Sequence, residues 1–277
     1  MSDQASQGTR SASRGTAVVT GASAGIGKVY AERLAGRGYD LILVARRADR
    51  LDALARSLRV KYGVAVQNIV ADLGDAADLD RVAAAITGDQ SITLLVNNAG
   101  VSTLAPVAQT SRAAMDAMIK VNVEALAYLS FAILPVFKAR DRGAIINIAS
   151  VLSFHTLPFS SIYSGTKGYV LNFTRGLQEE VAGSNVVVQL VLPASTATDL
   201  WELSGVPLSQ LDQASIMTTE DCVDAALAGF DQGEAITLPS VEDSQLWADY
   251  DAARLRLLAA SQTGKPASRY RVGGRTS

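Results

Sequence analysis

The sequence is poor in the residues that build disulfides and metal sites. Its 277 residues include one cysteine, Cys222, and one histidine, His155. A lone cysteine excludes a disulfide within the chain, and one cysteine with one histidine does not make a zinc cluster. We therefore expect no metal site, and the cysteine usage favours a reducing, cytoplasmic location.

Excess charge is also lacking. The chain has 25 basic and 27 acidic residues, a formal net charge of −2. No overall positive field exists to attract a phosphate backbone or an anionic lipid surface, so we expect no nucleic-acid partner. The most apolar long stretch, 121–137, is interrupted by polar residues and Pro135. It falls short of the roughly 20 apolar residues that cross a bilayer, so we expect no membrane partner.

What is present is a regular alternation of short β-branched runs and longer amphipathic stretches. The runs have the composition of strands buried on both faces of a parallel sheet, and the stretches repeat apolar residues at helical spacing. The predicted strands are 16–20, 40–44, 65–70, 92–96, 143–149 and 185–192. The predicted crossover helices are 26–37, 48–62, 76–87, 112–139 and 164–182. This order predicts an α/β fold with a doubly wound parallel sheet.

The chain carries no sign of a domain boundary between its two ends. Residues 1–14 are polar and are predicted to be a disordered tail, and residues 263–277 are predicted to be a flexible C-terminal tail. No linker rich in Pro, Gly or Ser interrupts residues 16–240. We therefore predict a single domain over 15–262, which includes a C-terminal helix after Pro239.

A glycine-rich turn follows the first predicted strand and leads directly into a helix. It reads TGASAGIG and contains Gly21, Gly25, Ile26 and Gly27. Glycines at these positions allow a tight turn, admit a diphosphate against backbone N–H groups and let the helix pack close to the strand. The placement between strand and helix indicates a dinucleotide-binding turn.

The end of the second strand selects between the two nicotinamide cofactors. An NAD site usually has an acidic residue here, but the sequence reads Ala45-Arg46-Arg47. Arginine can bind a 2′-phosphate with two hydrogen bonds, and Ser23 can add a hydroxyl contact. We therefore favour NADP(H). The alternative is that both arginines only begin a solvated helix.

Two further turns follow the third and fourth strands. Asp72 and Leu73 come after the third strand, and we expect Asp72 to accept the adenine amino group. Asn98, Ala99 and Gly100 come after the fourth, where the turn can approach the cofactor ribose. Either turn could instead be purely structural, since such short sequences are common in turns.

The residues with reactive chemistry lie between the fifth strand and the following helix. Ser150 ends the strand, and Tyr163 and Lys167 are four residues apart, so a helix places them on one face. One positive charge about 4 Å away at an effective dielectric of about 20 supplies roughly 4 kcal/mol, enough to move a phenol pKa from about 10 to about 7. We therefore expect Lys167 to acidify Tyr163 and Ser150 to polarise a carbonyl oxygen.

The chain combines five features: TGASAGIG, NNAG, Ser150, the YxxxK motif and Asn122 in Lys-Val-Asn. With this combination, roughly residues 16–240 resemble the short-chain dehydrogenase/reductase family, compact subtype. The resemblance implies a Rossmann-type sheet of about seven strands flanked by helices, with residues 237–240 near the last strand. It also implies a catalytic tetrad of Asn122, Ser150, Tyr163 and Lys167. In that tetrad Tyr163 exchanges the proton, Lys167 also holds the nicotinamide ribose and Asn122 positions a relay water.

The resemblance also implies a mobile substrate loop over 195–217, with Pro193 and Thr196 at the edge of the nicotinamide. Ala194 stands where the family usually has the glycine of a Pro-Gly pair, and Gly165 stands where the family commonly has alanine. His155 could contact substrate or be structural, and Trp201 could be an exposed residue. The predicted pocket is otherwise apolar and consists of Leu152, His155, Leu157, Leu200 and Trp201.

These observations predict an NADPH-dependent carbonyl reductase, or alcohol dehydrogenase in the reverse direction, that acts on a hydrophobic ketone or aldehyde as its small-molecule partner. The alternative is a non-catalytic NADP(H)-binding sensor or scaffold protein. The family resemblance further implies a homo-oligomer, a dimer or tetramer, built partly on the long predicted helices 112–139 and 164–182.

Overall fold

The computed structural model describes residues 14–270, so most of the predicted N-terminal tail and the last residues of the predicted C-terminal tail lie outside it. The described chain forms two compact units that divide after Ser240. The first unit contains seven strands. They are β1 Thr16–Thr20, β2 Asp40–Ala45, β3 Val66–Val70, β4 Ile92–Asn97, β5 Gly143–Ile148, β6 Val186–Val191 and β7 Ile236–Thr237.

Eight α-helices belong to the described part of the first unit. They are α1 Gly25–Gly36, α2 Ala48–Tyr62, α3 Ala76–Gly88, α4 Arg112–Ile119, α5 Leu126–Arg140, α6 Ser161–Glu180, α7 Leu200–Ser204 and α8 Thr219–Asp231. Sequence reasoning missed α8, although Thr218 accepts the Asp221 N–H at its N-terminus and apolar residues follow at helical spacing.

The strands form one parallel sheet in the order β3-β2-β1-β4-β5-β6-β7. The order reverses between β1 and β4, where the crossovers leave on opposite faces of the sheet. In such sheets a ligand crevice forms outside the carboxyl ends of the strands at that reversal. The predicted Rossmann-type doubly wound fold is confirmed, and the glycine-rich turn, the Asn97-Asn98 turn and Ser150 all follow strands at this edge.

Two apolar cores cover the two faces of the sheet. One contains α1, α2 and α8 and includes the fully buried Tyr30 and Leu51. The other contains α3, α5 and α6 and includes the fully buried Ile86, Ile133 and Phe137. Burial on both faces explains why the strands are continuous apolar runs and not alternating ones.

The predicted helix 112–139 is not continuous as an α-helix. A π-helical turn, Lys120–Ala125, separates α4 from α5 and contains the buried Asn122.

The helical segment Arg112–Arg140 as a whole is long and apolar enough to count as a candidate membrane span, and 44% of its most apolar window is buried. The core helices of soluble proteins also meet this criterion of length and composition, so it does not establish a membrane span. The predicted absence of a membrane span stays a prediction.

The second unit begins at Val241 and contains one α-helix, α9 Gln245–Ser261. The helix predicted after Pro239 is therefore present. A 3-10 turn, Ser268–Tyr270, ends the described chain. The domain boundary predicted at residue 262 stays a prediction.

Candidate active site

The glycine-rich turn has the form of an anion cradle. α1 begins at Gly25, its N-cap residue Ala24 makes no side-chain cap, and its first turn contains no acidic residue. The first N–H groups of α1 thus have no side-chain partner at the cap, and the helix dipole favours an anion there. Gly25 has a φ of 52°, which side chains rarely adopt. These features fit the diphosphate of a dinucleotide.

Asn98 joins the fourth strand to this turn. Its side-chain amide donates to the carbonyl oxygen of Thr20 at 2.9 Å, and the Thr20 hydroxyl accepts from the N–H groups of Asn98 and Ala99 at 2.9 and 3.0 Å. A Cβ on Gly21 would lie 2.7 Å from the Asn98 amide nitrogen. The predicted Asn-Ala-Gly turn therefore supports the backbone of the glycine-rich turn directly.

The two predicted phosphate-binding arginines differ in the structure. Arg47 is partly buried, and its Nε and Nη2 atoms donate to the Ser23 hydroxyl at 3.2 and 3.0 Å. Arg46 is exposed and has no hydrogen bond or ion pair among the described residues. The structure thus brings Arg47 and Ser23 together beside the turn, whereas Arg46 does not contact Ser23.

Asp72 and Leu73 follow β3 as predicted. Leu73 is buried, whereas Asp72 is exposed and one of its carboxylate oxygens accepts the Gly74 N–H at 2.9 Å. That bond turns the chain toward α3. The contact of Asp72 with an adenine stays a prediction.

Asn122 occupies the centre of a hydrogen-bonded cluster. Its side-chain oxygen accepts the Val101 N–H at 2.8 Å, and its amide donates to the Val101 carbonyl at 2.9 Å and to the Thr166 hydroxyl at 3.1 Å. Thr166 in turn donates to the Tyr163 carbonyl at 2.7 Å. The π-helical turn directs Asn122 into this cluster, and so connects α4 and α5 to the helix of Tyr163.

Lys167 is buried in the same cluster. Its Nζ donates to the Ile148 carbonyl at 3.1 Å and lies 5.6 Å from the centroid of the Tyr163 ring. A Cβ on Gly100 would lie 3.8 Å from that Nζ and 3.4 Å from the Asn122 side-chain oxygen. The predicted residues Gly100, Asn122, Tyr163 and Lys167 are therefore neighbours.

The expected acidification of Tyr163 is wrong for this structure. Burial raises the pKa of Tyr163 to about 12 and lowers the pKa of Lys167 to about 8. The physical reason is that both groups are desolvated and that the lysine hydrogen bond goes to Ile148. At neutral pH the phenol therefore keeps its proton while the ammonium is largely charged.

Ser150 lies after β5, and its hydroxyl accepts the Leu152 N–H at 3.1 Å. The turn that it begins, Val151–Ser153, packs against α6, and the Val151 N–H donates to the Pro193 carbonyl at 3.0 Å. Ser150 is therefore held between the Tyr163 helix and the segment after β6.

The predicted pocket residues lie on two segments. Leu152, His155 and Leu157 follow Ser150, and both His155 and Leu157 are exposed. Leu200 and Trp201 are in α7, where the Trp201 indole donates to the Thr196 carbonyl at 2.9 Å. Their contact with a substrate stays a prediction.

The predicted loop over 195–217 is anchored by residues that sequence reasoning missed. Thr198 lies next to the glycine-rich turn, 3.2 Å from the position of a Cβ on Gly25. Asp199 pairs with Arg50 at 3.1 Å, and the Leu104 N–H donates to the Ser204 carbonyl at 3.1 Å. Thr196, which the sequence analysis did predict as a cofactor residue, is buried, and its hydroxyl donates to the Ala194 carbonyl. Its contact with a cofactor stays a prediction. No local pattern signals such long-range pairs.

Comparisons with known proteins agree with this geometry. The family model described as short chain dehydrogenase matches residues 15–205. A very-long-chain 3-oxoacyl-CoA reductase from Anas platyrhynchos is 37% identical over 194 residues, which are 68% of this chain and 62% of that protein. The chain thus spans less than two thirds of the length of this curated relative.

Two solved structures are also similar. A short-chain dehydrogenase from Sphingobium yanoikuyae in complex with NADPH has 42% identity and a TM-score of 0.90, covering 93% of this chain and 100% of that one. The bulky-bulky ketone specific alcohol dehydrogenase from Comamonas testosteroni has 36% identity and a TM-score of 0.85, covering 92% and 98%.

The family model covers more than half of the chain, and the sheet order and glycine-rich turn agree with it. Members of this family are oxidoreductases that use a nicotinamide dinucleotide and act on small molecules. The chain belongs to the short-chain dehydrogenase family.

Proposed function

We propose that the chain is an NADPH-dependent carbonyl reductase that reduces a hydrophobic ketone or aldehyde, with Asn122, Ser150, Tyr163 and Lys167 as its catalytic residues. The observation that carries this proposal is the placement of Tyr163. Its ring lies 5.6 Å from the Nζ atom of the buried Lys167, in the cluster that also contains Asn122 and Thr166, and its phenol is protonated at neutral pH. A protonated phenol is what a proton donor to a developing alkoxide requires.

Each residue has a distinct part in the reduction. When bound, the reduced nicotinamide supplies the hydride. The Ser150 hydroxyl donates to the substrate oxygen, and Tyr163 transfers its proton to that oxygen as negative charge develops. The charged Lys167 stabilises the phenolate left behind, and Asn122 keeps Val101 and Thr166 in place around the lysine.

The cofactor would lie across the carboxyl ends of β1 and β4. Its diphosphate fits the N-terminus of α1, and its 2′-phosphate fits the hydroxyl and guanidinium of Ser23 and Arg47, which already contact each other. Asp72, Pro193 and Thr196 complete the proposed cofactor site. The neighbour from Sphingobium yanoikuyae, which was solved with NADPH, supports the choice of NADPH over NADH.

An apolar substrate is favoured by the surroundings of Ser150. Phe154, Leu157 and Phe159 are exposed on the segment that leads to α6. Exposed apolar groups beside a proton donor suit a substrate with large apolar substituents. The Comamonas testosteroni neighbour, named for bulky-bulky ketones, supports a ketone with bulky groups on both sides.

We also propose a cytoplasmic homo-oligomer. The α4–α5 and α6 region exposes Ile119, Phe131 and Tyr169, with Phe131 68% exposed. Large apolar side chains in adjacent helices are typical of a surface that pairs with a second copy. The location is supported by the single cysteine.

The test is consumption of NADPH, followed at the reduced nicotinamide absorbance band, with three carbonyl classes: methyl ketones, ketones with bulky groups on both sides, and 3-oxoacyl thioesters. We expect turnover with the bulky ketones and a preference for NADPH over NADH. Tyr163→Phe should lower kcat by about 10²–10⁴-fold and leave NADPH binding intact. NADPH binding without turnover on any carbonyl would instead support the sensor alternative.

A further inference from the structure

The segment after β6 is fastened to the proposed cofactor site at several points. The Ala197 N–H donates to the Met217 carbonyl at 2.9 Å, and the Leu104 N–H donates to the Ser204 carbonyl at 3.1 Å. Between these anchors, Thr198 lies against Gly25 of the glycine-rich turn. The first half of the substrate loop therefore lies over the turn that would hold the diphosphate.

The next residue, Asp199, contacts Arg50 in α2 and lies near Arg47, the residue before that helix. Its Oδ2 atom accepts from Arg50 Nη1 at 3.1 Å and lies 3.8 Å from Arg47 Nη1. The Nε and Nη2 atoms of Arg47 donate to the Ser23 hydroxyl at 3.2 and 3.0 Å. Arg47 is thus shared between Ser23 on one side and a carboxylate from the substrate loop on the other.

We propose that Asp199 is a specificity-determining residue that couples the substrate loop to the 2′-phosphate of the cofactor. This inference rests on the proposed use of NADPH, with the 2′-phosphate on Ser23 and Arg47. A phosphate there adds negative charge next to the Asp199 carboxylate and competes for the same guanidinium. Binding of NADP(H) therefore weakens the ion pairs of Asp199 with Arg47 and Arg50 and shifts this part of the loop toward a detached state, whereas NAD(H) leaves the ion pairs intact.

The coupling is modest because the groups are partly in water. The Arg47 side chain is 41% exposed and that of Asp199 is 57% exposed. Exposed ion pairs change an equilibrium only slightly, about two- to fivefold. A weak ion pair suits a substrate loop that opens and closes during catalysis, because little free energy is needed to break it.

The first experiment measures the dissociation constants of NADP⁺ and NAD⁺ by titration calorimetry for the wild type, Asp199→Asn and Glu202→Gln. Glu202 is the matched control because it is in the same loop, is exposed and has no ion pair within residues 14–270. We expect Asp199→Asn to bind NADP⁺ about two- to fivefold more tightly, with NAD⁺ unchanged, and Glu202→Gln to match the wild type.

An unchanged or weaker affinity of Asp199→Asn for NADP⁺ would overturn the proposal, as would equal gains for both cofactors or an equal gain in Glu202→Gln. The wild-type titrations separate this outcome from a failure of the proposed function. If the wild type shows no preference for NADP⁺ over NAD⁺, the proposed cofactor is wrong, whatever the variants do.

A second experiment observes the loop. Trp201 lies two residues after Asp199, and Trp247 is the only other tryptophan, so Trp247→Phe makes Trp201 the sole indole reporter. Adenosine 2′,5′-bisphosphate should shift Trp201 emission, and adenosine 5′-monophosphate should not. Adding Asp199→Asn should move the ligand-free emission to the shifted value. Equal responses to both nucleotides, or no response to either, would contradict the coupling.

Discussion

The Nζ atom of Lys167 lies 5.6 Å from the centroid of the Tyr163 ring and donates its hydrogen bond to the Ile148 carbonyl. The two side chains are therefore neighbours, with Lys167 buried and Tyr163 half-buried, and no hydrogen bond joins them. Burial acts on them in opposite directions, raising the pKa of Tyr163 to about 12 and lowering that of Lys167 to about 8.

The lowered pKa of Lys167 makes the stability of the cofactor-free protein depend on pH. The unfolded chain keeps the lysine proton up to its ordinary pKa of 10.5, whereas the folded chain releases it near 8. The unfolded state thus binds more protons between these values, and the free energy of unfolding rises with pH. We expect a rise of about 1 kcal/mol between about pH 7 and 9.

Denaturant unfolding at these two pH values checks this prediction, with Lys167→Met as the comparison. The variant has no titrating group at this position, so its curve should lack the rise while its reductase activity is lost. Tyr163 acts in the opposite sense, but only above its ordinary pKa of 10.0. The same pH dependence in both proteins would show that Lys167 is not the source.

Cofactor preference should depend on Arg47 more than on Arg46. Arg47→Ala removes the guanidinium that contacts Ser23, so we expect the affinity for NADPH to fall about 10–100-fold while that for NADH is kept. Arg46→Ala is the matched control, because this neighbouring arginine is exposed and does not contact Ser23. Fluorescence titration with each cofactor measures the change. A larger loss in the Arg46 variant would reverse the assignment.

Gly27 and Gly165 should respond oppositely to alanine. A Cβ on Gly27 would lie 2.5 Å from the Gly21 carbonyl oxygen and would also collide with the Asn98 amide. Gly27→Ala should therefore lower the free energy of unfolding by about 1–3 kcal/mol and weaken cofactor binding. Gly165 in α6 has no atom within 4 Å of such a Cβ. Gly165→Ala should raise stability by about 1 kcal/mol. Thermal unfolding compares the two.

The proposed oligomer should depend on Phe131. This ring is 68% exposed in α5, and an acidic residue there would place a charge in an apolar interface between two copies. We expect Phe131→Asp to shift the mass measured by light scattering toward the monomer. Val60→Asp is the control, since Val60 is 89% exposed in α2. A monomeric wild type, or equal shifts in both variants, would contradict the proposed interface.

Much of the fold was predictable because its signals are local. The apolar runs predict six of the strands to within a few residues, and the glycine-rich turn stands between β1 and α1 as expected. The last strand is shorter than the segment 237–240 suggests, because only Ile236 and Thr237 pair with β6 and Pro239 has no N–H group to extend the ladder. The π-helical turn at Asn122 was not predictable, since apolar spacing alone does not distinguish it from an α-helix.

By itself, the amino-acid sequence determined the alternation of the first six strands with most of the helices, the glycine-rich turn and the spacing of Tyr163 and Lys167. These features depend on neighbouring residues and on simple periodicity. Only the tertiary structure decided the protonation of the Tyr163–Lys167 pair, because desolvation comes from burial by distant segments. It also decided that Asp199 meets Arg50, 149 residues away along the chain. Such a contact exists only once the sheet has brought the ends of β2 and β6 to the same edge.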